Sequence, residues 1–141
     1  MADQFCTFLL DGHLFGIPVQ DVQEVLRHQE IRPVPLAVPE IRGLLNLRGQ
    51  IVTTIDLRTR LGLPATEESA VNVIVRTPDG PVSLLVDRIG DVLEPAESTF
   101  EPAPDTVPRH LRELVKRVCK LADGLMLVLD TELAVDVEDA A

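Results

Sequence analysis

Residues 39–58 read PEIRGLLNLRGQIVTTIDLR, and this stretch indicates the architecture. Two apolar runs, 44–47 and 51–55, flank a turn at 48–49, and Asp56 ends the second run. Two short apolar runs joined by a tight turn are typical of a β-hairpin. The region therefore predicts antiparallel sheet followed by a short helical turn over 57–61, which Gly62 would end.

The same pattern returns later in the chain. Residues 118–130 show the order of 44–56: apolar strand, tight turn, apolar strand and a terminal Asp. A second match aligns 22–26 with 89–93, and the two matches occur in the same order. Hairpins are common, so either match alone is weak. Together they predict two similar barrels packed against each other.

The rest of the chain reads as short strands punctuated by turns. Asp11-Gly12 is a type I′ hairpin signal between 4–10 and 13–17. Further hairpins are expected around 78–80 and across 123–124, with another strand at 91–94. About ten strands are expected, which is an all-β pattern of the sandwich or barrel type.

Helices are expected to be few and short. Pro18 can open one, since its missing N–H does no harm in a first turn, and one face would carry Val19, Val22, Val25 and Leu26. Another should follow Pro108, with Leu111, Leu114 and Val115 facing inward. A terminal helical turn is expected over 131–137. Residues 31–39, 64–69 and 94–108 are expected to be extended or loop segments, because proline and polar residues are frequent there.

Composition narrows the function classes. The 141 residues suit one domain or two small barrels sharing a core, and 13 basic against 23 acidic residues give a net charge of −10. That charge argues against a nucleic-acid binder and against an anionic membrane surface as partner. With four Phe and no Trp or Tyr, the core must consist of Val, Leu and Ile, which favour strands.

Location and redox state follow from the absence of three patterns. Residues 1–10 lack the charge and apolar length of a signal peptide, and no apolar run is long enough to span a membrane. Cys6 and Cys119 form no C-x-x-C motif. A cytoplasmic protein with reduced thiols is therefore expected, in which both cysteines serve as buried small hydrophobes.

A search for catalytic chemistry gives nothing coherent. His13, His28 and His110 have no metal-ligand spacing, and no phosphate-binding or nucleophile motif is present. The string 127–131 resembles the start of an aspartic-protease motif, but Glu132 stands where that motif needs glycine. We therefore expect no enzymatic activity, no cofactor and no metal.

Residues 39–58 resemble the signature of the CheW-like domain family, an I-x-G-apolar-x-N-L-R-G run before an apolar strand ending in Asp-Leu. Three further blocks keep the family's order. They are Phe15–Ile17 leading into Val22–Val25, Leu85–Asp87 leading into Asp91–Leu93, and Leu121–Asp130. The resemblance covers about residues 4–137. Thr53 departs from it, because many members carry Pro there.

The resemblance implies two five-stranded SH3-like β-barrels on a shared apolar interface, roughly 13–69 and 70–137, with strand 4–10 pairing with either. It also implies a non-catalytic adaptor. Such an adaptor couples the cytoplasmic signalling tip of a chemoreceptor to the regulatory domain of a CheA-type histidine kinase in a chemotaxis-like array.

The resemblance also implies which residues bind. For the receptor, Arg48 at the hairpin tip comes first, followed by Glu24, Val22, Val25, Gly43, Leu44, Asn46 and Ile51. For the kinase, the candidates are Ile89, Val92 and Leu93. Simpler interpretations stay open: Arg48 and Glu24 as solvated residues, the valines and the kinase candidates as core, and Gly43 as a site of close backbone approach.

Two other functions compete with the adaptor. A small-molecule-sensing β-barrel module would need convergent polar groups and aromatics around a cavity, which the composition disfavours. A nucleic-acid-binding small barrel would need basic grooves and stacking aromatics, and the chain has neither.

Overall fold

The computed structural model of the chain describes residues 3–27, 29–64, 66 and 71–137. His28 and most of the expected polar loop 64–69 lie outside the described residues. Within the described part, no helix has the length and apolar character needed to cross a membrane.

Short strands dominate the structure. They are β1 Phe5–Leu10, β2 His13–Pro18, β3 Val22–Arg27, β4 Ile31–Arg32, β5 Ile41–Leu47, β6 Gln50–Asp56, β7 Val71–Val75, β8 Val82–Val86, β9 Arg88–Leu93, β10 Phe100–Glu101, β11 Val115–Leu121 and β12 Gly124–Leu129. The helices are α1 Leu57–Arg60, α2 Arg109–Arg112 and α3 Thr131–Val135, with single 3₁₀ turns at Val19–Asp21 and Glu97–Thr99.

The strands form two six-stranded sheets, which confirms the all-β prediction. One has the order β3-β7-β8-β6-β5-β4, and the other has the order β9-β1-β2-β12-β11-β10. Each sheet curls into a barrel-like unit, here called barrel I (β3–β8) and barrel II (β1, β2 and β9–β12). Each has six strands rather than the expected five, because the two-residue strands β4 and β10 add one to each sheet.

The two sheets match strand for strand, so the predicted duplication is confirmed in the topology. Each has one parallel pair at the same place, β6 with β8 and β12 with β2. The hairpins share a register, since Asn46 pairs with Ile51 in one and Lys120 with Leu125 in the other.

The sheets divide the chain differently from the expected boundary at 69/70. β7 and β8 complete barrel I, while β1 and β2 complete barrel II. The reason is the parallel pairing of β2 with β12 and of β8 with β6, which joins strands far apart in sequence. The strand expected at 4–10 pairs with β2 and β9, both in barrel II.

Three apolar clusters hold the fold together. Barrel I is filled by Leu45, Leu47, Val52 and Ile74, and barrel II by Phe5, Cys119, Met126 and Val128. The largest cluster lies between the barrels and contains the parallel-stacked rings of Phe8 and Phe15, whose centroids are 6.0 Å apart. Aliphatic side chains supply most of this core, as the composition predicts.

Both cysteines are buried and free, as expected for small hydrophobes. Cys6 belongs to the inter-barrel core, and burial raises the pKa of its thiol. Cys119 lies in barrel II, with its sulfur 3.2 Å from the Thr99 hydroxyl.

The prediction of a helix after Pro18 is wrong. The chain makes one 3₁₀ turn at Val19–Asp21 and then continues as β3, paired antiparallel with β7. A register shift between Val22 and Glu24 marks a β-bulge. The bulge places Val22 and Val25, three residues apart, on the same inter-barrel core. That spacing imitates the period of a helix.

The other expected helical turns are confirmed, and two begin at the repeated aspartate. Asp56 accepts hydrogen bonds from the N–H groups of Arg58 and Thr59 at 3.1 and 3.4 Å, capping α1. Asp130 accepts from the Leu133 N–H at 3.1 Å, capping α3. The terminal Asp of each repeat is therefore a helix N-cap.

Candidate functional site

The β5–β6 turn presents Arg48. Arg48 has φ +50° and Gly49 φ +89°, the two left-handed residues of a type I′ turn. The Asn46 side-chain oxygen accepts a hydrogen bond from the Gly49 N–H at 2.8 Å. Asn46 therefore shapes the turn, and the Arg48 side chain projects from its tip with 67% of its surface exposed.

Arg48 is held by Glu24 across the opening of barrel I. Its Nη1 donates to Glu24 Oε1 at 3.0 Å, and its Nη2 donates to Oε2. β3 and β5 share no ladder, so curling of the sheet brings the two residues together. This fork is the bidentate geometry that favours arginine over lysine.

The pair also changes the titration of both groups. The hydrogen bond from Arg48 lowers the pKa of the Glu24 carboxyl, and the charge of Arg48 adds to that effect against partial desolvation. The same bond raises the pKa of the Arg48 guanidinium. The carboxylate is thus held ionised beneath an exposed cation.

Gly43 lies against the neighbouring strand. It has φ +153°, and a Cβ built on it would lie 2.2 Å from the carbonyl oxygen of Arg32 and 2.9 Å from the Ile31 Cγ2. Any side chain here would push β4 away from β5, so close backbone approach explains this glycine.

Ile51 is the main exposed apolar side chain of this region. It follows the turn with 61% of its surface exposed, opposite Asn46. With half-buried Leu44 it borders a shallow groove of about 480 Å³ beneath β4. Arg48 and Ile51 lie three residues apart on the β5–β6 hairpin, and together with Glu24 they are here called the tip patch.

Val22 and Val25 do not belong to the tip patch. Both are partly buried and pack against the inter-barrel core. Their position on β3 fixes Glu24, whereas their side chains have limited access to a partner. Their assignment as contact residues is weaker than that of Glu24.

The three kinase candidates also divide into residues that pack against a core and a residue that is exposed. Ile89 packs against the inter-barrel core, and Leu93 packs against the interior of barrel II. Val92 is 59% exposed on β9, the last strand in the order of its sheet. Of the three, Val92 is exposed, whereas Ile89 and Leu93 are half-buried.

A larger groove that sequence reasoning missed runs between the barrels. Its volume is about 1140 Å³, and its walls come from β6, the β7–β8 turn and α3. Ile51 and Thr53 line one wall, so the groove continues from the tip patch. These segments are far apart in sequence, and only the fold brings them together. The one signal available in the sequence is the internal repeat, which places a helical turn, α3, directly after β12.

Within residues 3–27, 29–64, 66 and 71–137, no three His, Cys, Asp or Glu side chains are grouped so that they could hold a metal ion.

Comparison with known proteins identifies the family. The family model described as the CheW-like domain matches residues 4–139, nearly the whole chain. The chain belongs to the CheW-like family. The resemblance stated from residues 39–58 and its three companion blocks is thereby confirmed.

Named relatives agree with this membership. The chain is 30% identical over 142 residues to the chemotaxis protein CheW of Bacillus subtilis, covering 99% of this chain and 90% of that protein. It is 30% identical over 134 residues to the CheW of Thermotoga maritima, covering 92% and 85%.

A solved structure supports the same fold. The scaffolding protein TtCheW from Thermoanaerobacter tengcongensis superimposes with a TM-score of 0.87 at 27% identity, covering 98% of this chain and 95% of that one. The CheW-like architecture of two barrel-like units is thereby confirmed, and the relatives' names describe chemotaxis and scaffolding proteins.

Proposed function

We propose that this CheW-like chain is a non-catalytic cytoplasmic adaptor that couples the signalling tip of a chemoreceptor to the regulatory domain of a CheA-type kinase. The observation that carries the proposal is the tip patch, where Arg48 is prepositioned by Glu24 beside exposed Ile51. An interface needs apolar anchors and a few oriented charges, and the tip patch supplies both.

On the receptor side, Arg48 is the leading contact. Two of its guanidinium nitrogens face Glu24, and a guanidinium has five N–H donors, so donors are left for helix carbonyls or carboxylates. Glu24 fixes the orientation of the fork in advance, which reduces the entropy lost on binding. Gly43 and Asn46 maintain the hairpin geometry, and Leu44 supports Ile51.

On the kinase side, Val92 is the leading contact. An exposed β-branched side chain on a strand that has only one partner in its sheet can pack against another barrel. Ile89 and Leu93 keep β9 in register through the cores behind it. The two proposed faces lie on different barrels, so both partners can bind at once.

Two substitutions separate the faces in calorimetric titrations against a receptor cytoplasmic fragment and a kinase regulatory domain from the same organism. Arg48→Glu should weaken receptor binding at least about tenfold and leave kinase binding unchanged. Val92→Asp should do the reverse, because a charge in an apolar contact must be desolvated. Circular dichroism checks that both variants fold.

Matched controls are exposed residues that are not assigned to either face. Arg109→Glu reverses an exposed charge on α2, and Leu36→Asp places a carboxylate at a 95% exposed loop position. Both should bind like the wild type. If the wild type binds both partners and the test and control variants have equal effects, the assigned faces are refuted. If the wild type fails to bind either partner, the coupling function is refuted.

A further inference from the structure

Barrel I carries polar side chains in its interior. Thr54 on β6, Asn72 on β7 and Ser83 on β8 are each at most 1% exposed. Thr54 follows Val52 by two residues, so both point into barrel I. Asn72 lies two residues before Ile74, and Ser83 is paired with Ile74, which also belongs to the barrel I cluster. Thr54, Asn72 and Ser83 are here called the polar trio.

Two members of the polar trio are bonded to each other. The Ser83 hydroxyl donates to Asn72 Oδ1 at 3.0 Å, and this hydrogen bond is buried. A hydroxyl oxygen and a carboxamide oxygen each have two acceptor positions. The bonded pair therefore keeps acceptor positions for a further donor.

The third member, Thr54, makes no such bond. Its hydroxyl oxygen is buried and has no hydrogen-bond partner in the part of the chain that the structure describes. Thr54 and Ser83 are nevertheless neighbours in the parallel β6–β8 pairing. A buried hydroxyl that loses its hydration without a new partner destabilises the folded state, and native proteins contain few of them.

The matching positions of barrel II are apolar. The internal repeat aligns Thr54 with Val128. Val128 is paired with Gly16 in the parallel β12–β2 pairing, so Gly16 takes the place of Ser83. Met126 packs against Gly16, because its Sδ lies 2.6 Å from a Cβ built on that glycine. The shared fold itself therefore does not require hydroxyls at this level of a barrel.

The surroundings of the Thr54 hydroxyl are small and enclosed. The neighbours of Thr54 are Gly43 on β5, which has no side chain, and Ser83 on β8. Thr54 and Ser83 are 0% exposed, so bulk solvent does not reach them. An enclosed polar site of this kind suits a water molecule, which occupies about 30 Å³ and bonds two to four polar groups.

We propose that barrel I binds one ordered water molecule between the Thr54 hydroxyl and the Ser83–Asn72 pair. The water accepts the Thr54 hydroxyl proton and donates to Ser83 Oγ and Asn72 Oδ1. Three hydrogen bonds are typical of a buried water. The water joins β6, β7 and β8, and so ties the β7–β8 hairpin to the strand beside which it completes barrel I. The proposal is independent of the coupling function.

The sign of a stability change tests the proposal. Thr54→Val keeps the shape of the side chain and removes the hydroxyl, so the water loses a partner. The equilibrium constant for unfolding should then rise roughly fivefold. If the hydroxyl were unsatisfied, the same substitution would remove a buried polar group and lower that constant. Urea unfolding measures the change, and a constant that falls or stays the same overturns the proposal.

Thr53→Val is the matched control. Thr53 is the adjacent residue on β6, it is half-buried, and its side chain points to the opposite face of the strand. Threonine and valine both favour strands, so this variant should change the unfolding constant by less than about twofold. An equal rise in Thr53→Val and Thr54→Val would trace the effect to the strand rather than to a bound water, and would overturn the proposal.

Direct observation of the water decides the question even if Thr54→Val fails to fold. A high-resolution crystal structure of the wild type should show a water within about 3.2 Å of Thr54 Oγ1, Ser83 Oγ and Asn72 Oδ1. In solution, amide protons of β6 and β8 should show nuclear Overhauser effects from a long-lived water. A direct hydrogen bond from Thr54 to Ser83 or Asn72, or a dry barrel interior, would overturn the proposal.

Discussion

At the scale of the residue, the sequence predicts that Arg48 lies at a hairpin tip, but it does not predict that Arg48 pairs with Glu24. A turn signal flanked by strands places an arginine at a hairpin tip, and that inference is local. The contact with Glu24 joins residues 24 positions apart and depends on closure of the barrel. Closure is set by sheet curvature, which no short window encodes. For the same reason the sequence leaves open whether Val22 and Val25 contact a partner or pack inward, and the structure shows both partly buried against the inter-barrel core.

The Glu24–Arg48 pair makes a prediction about titration. Replacing Arg48 by Gln removes the main cause of the lowered pKa, so the Glu24 carboxyl should titrate at a higher pH in an NMR titration. Arg109→Gln should leave it unchanged. Equal Glu24 midpoints in wild type and Arg48→Gln would contradict the pairing in solution.

The direction of the stability effect follows from linkage. The folded pKa of Glu24 lies below its unfolded value of about 4.3. The contribution of the Glu24 carboxylate to the free energy of unfolding is therefore fully present above that pH. It is lost as the pH falls through the lowered folded pKa. The contribution should be small, because the pair is solvent-exposed and screened by salt. Glu24→Gln should flatten this part of the pH profile.

At the scale of the element, hairpins and caps are predictable, and bulges are not. Asp11-Gly12 and Arg48-Gly49 are turn signals read within a few residues, and both turns have positive φ at both positions. The sequence predicts a helix where β3 forms, because one extra residue at the bulge gives the apolar residues a spacing of three. A bulge is visible only against the partner strand, here β7, which lies about 50 residues away.

Gly43 tests the packing of β4 on β5. Gly43→Ala should lower the free energy of unfolding by about 3 kcal/mol, because the new Cβ meets the backbone of Arg32, which has little room to move. Gly49→Ala is the matched control: it also has positive φ but no atom within 4 Å of the built Cβ, and should cost about 1 kcal/mol. Urea unfolding measures both variants. Equal losses of unfolding free energy would show that β4 moves aside to make room for the new side chain.

At the scale of the whole molecule, the duplication is legible in sequence, but its assembly is not. The two aligned blocks correctly indicate two similar units. The exchange, in which β1 and β2 complete barrel II and β7 and β8 complete barrel I, depends on parallel pairs between distant segments. The large groove follows from that exchange, so it too escapes a reading of the sequence alone.

Arg58 on α1 makes a polar link between the barrels, because it donates to the Asp87 carboxylate at 2.9 and 2.6 Å and lies 3.6 Å from Asp11 in the β1–β2 turn. Its loss should be costly. Its side chain is 12% exposed and faces two carboxylates. Arg58→Gln should lower the free energy of unfolding by about 1–3 kcal/mol, because Asp87 and Asp11 are left facing each other. Arg109→Gln should change it by less than about 0.5 kcal/mol. Urea unfolding at neutral pH compares them, and an unaffected Arg58→Gln would mean that the apolar core alone sets the barrel arrangement.

The most direct test of the coupling function is whether both partners bind at the same time. The purified chain, a receptor cytoplasmic fragment and a kinase regulatory domain would be mixed and separated by gel filtration with light scattering. The two-face account predicts a ternary complex whose mass is that of all three components together. Two separate binary complexes that never combine would contradict it, because an adaptor whose partners exclude each other cannot couple them.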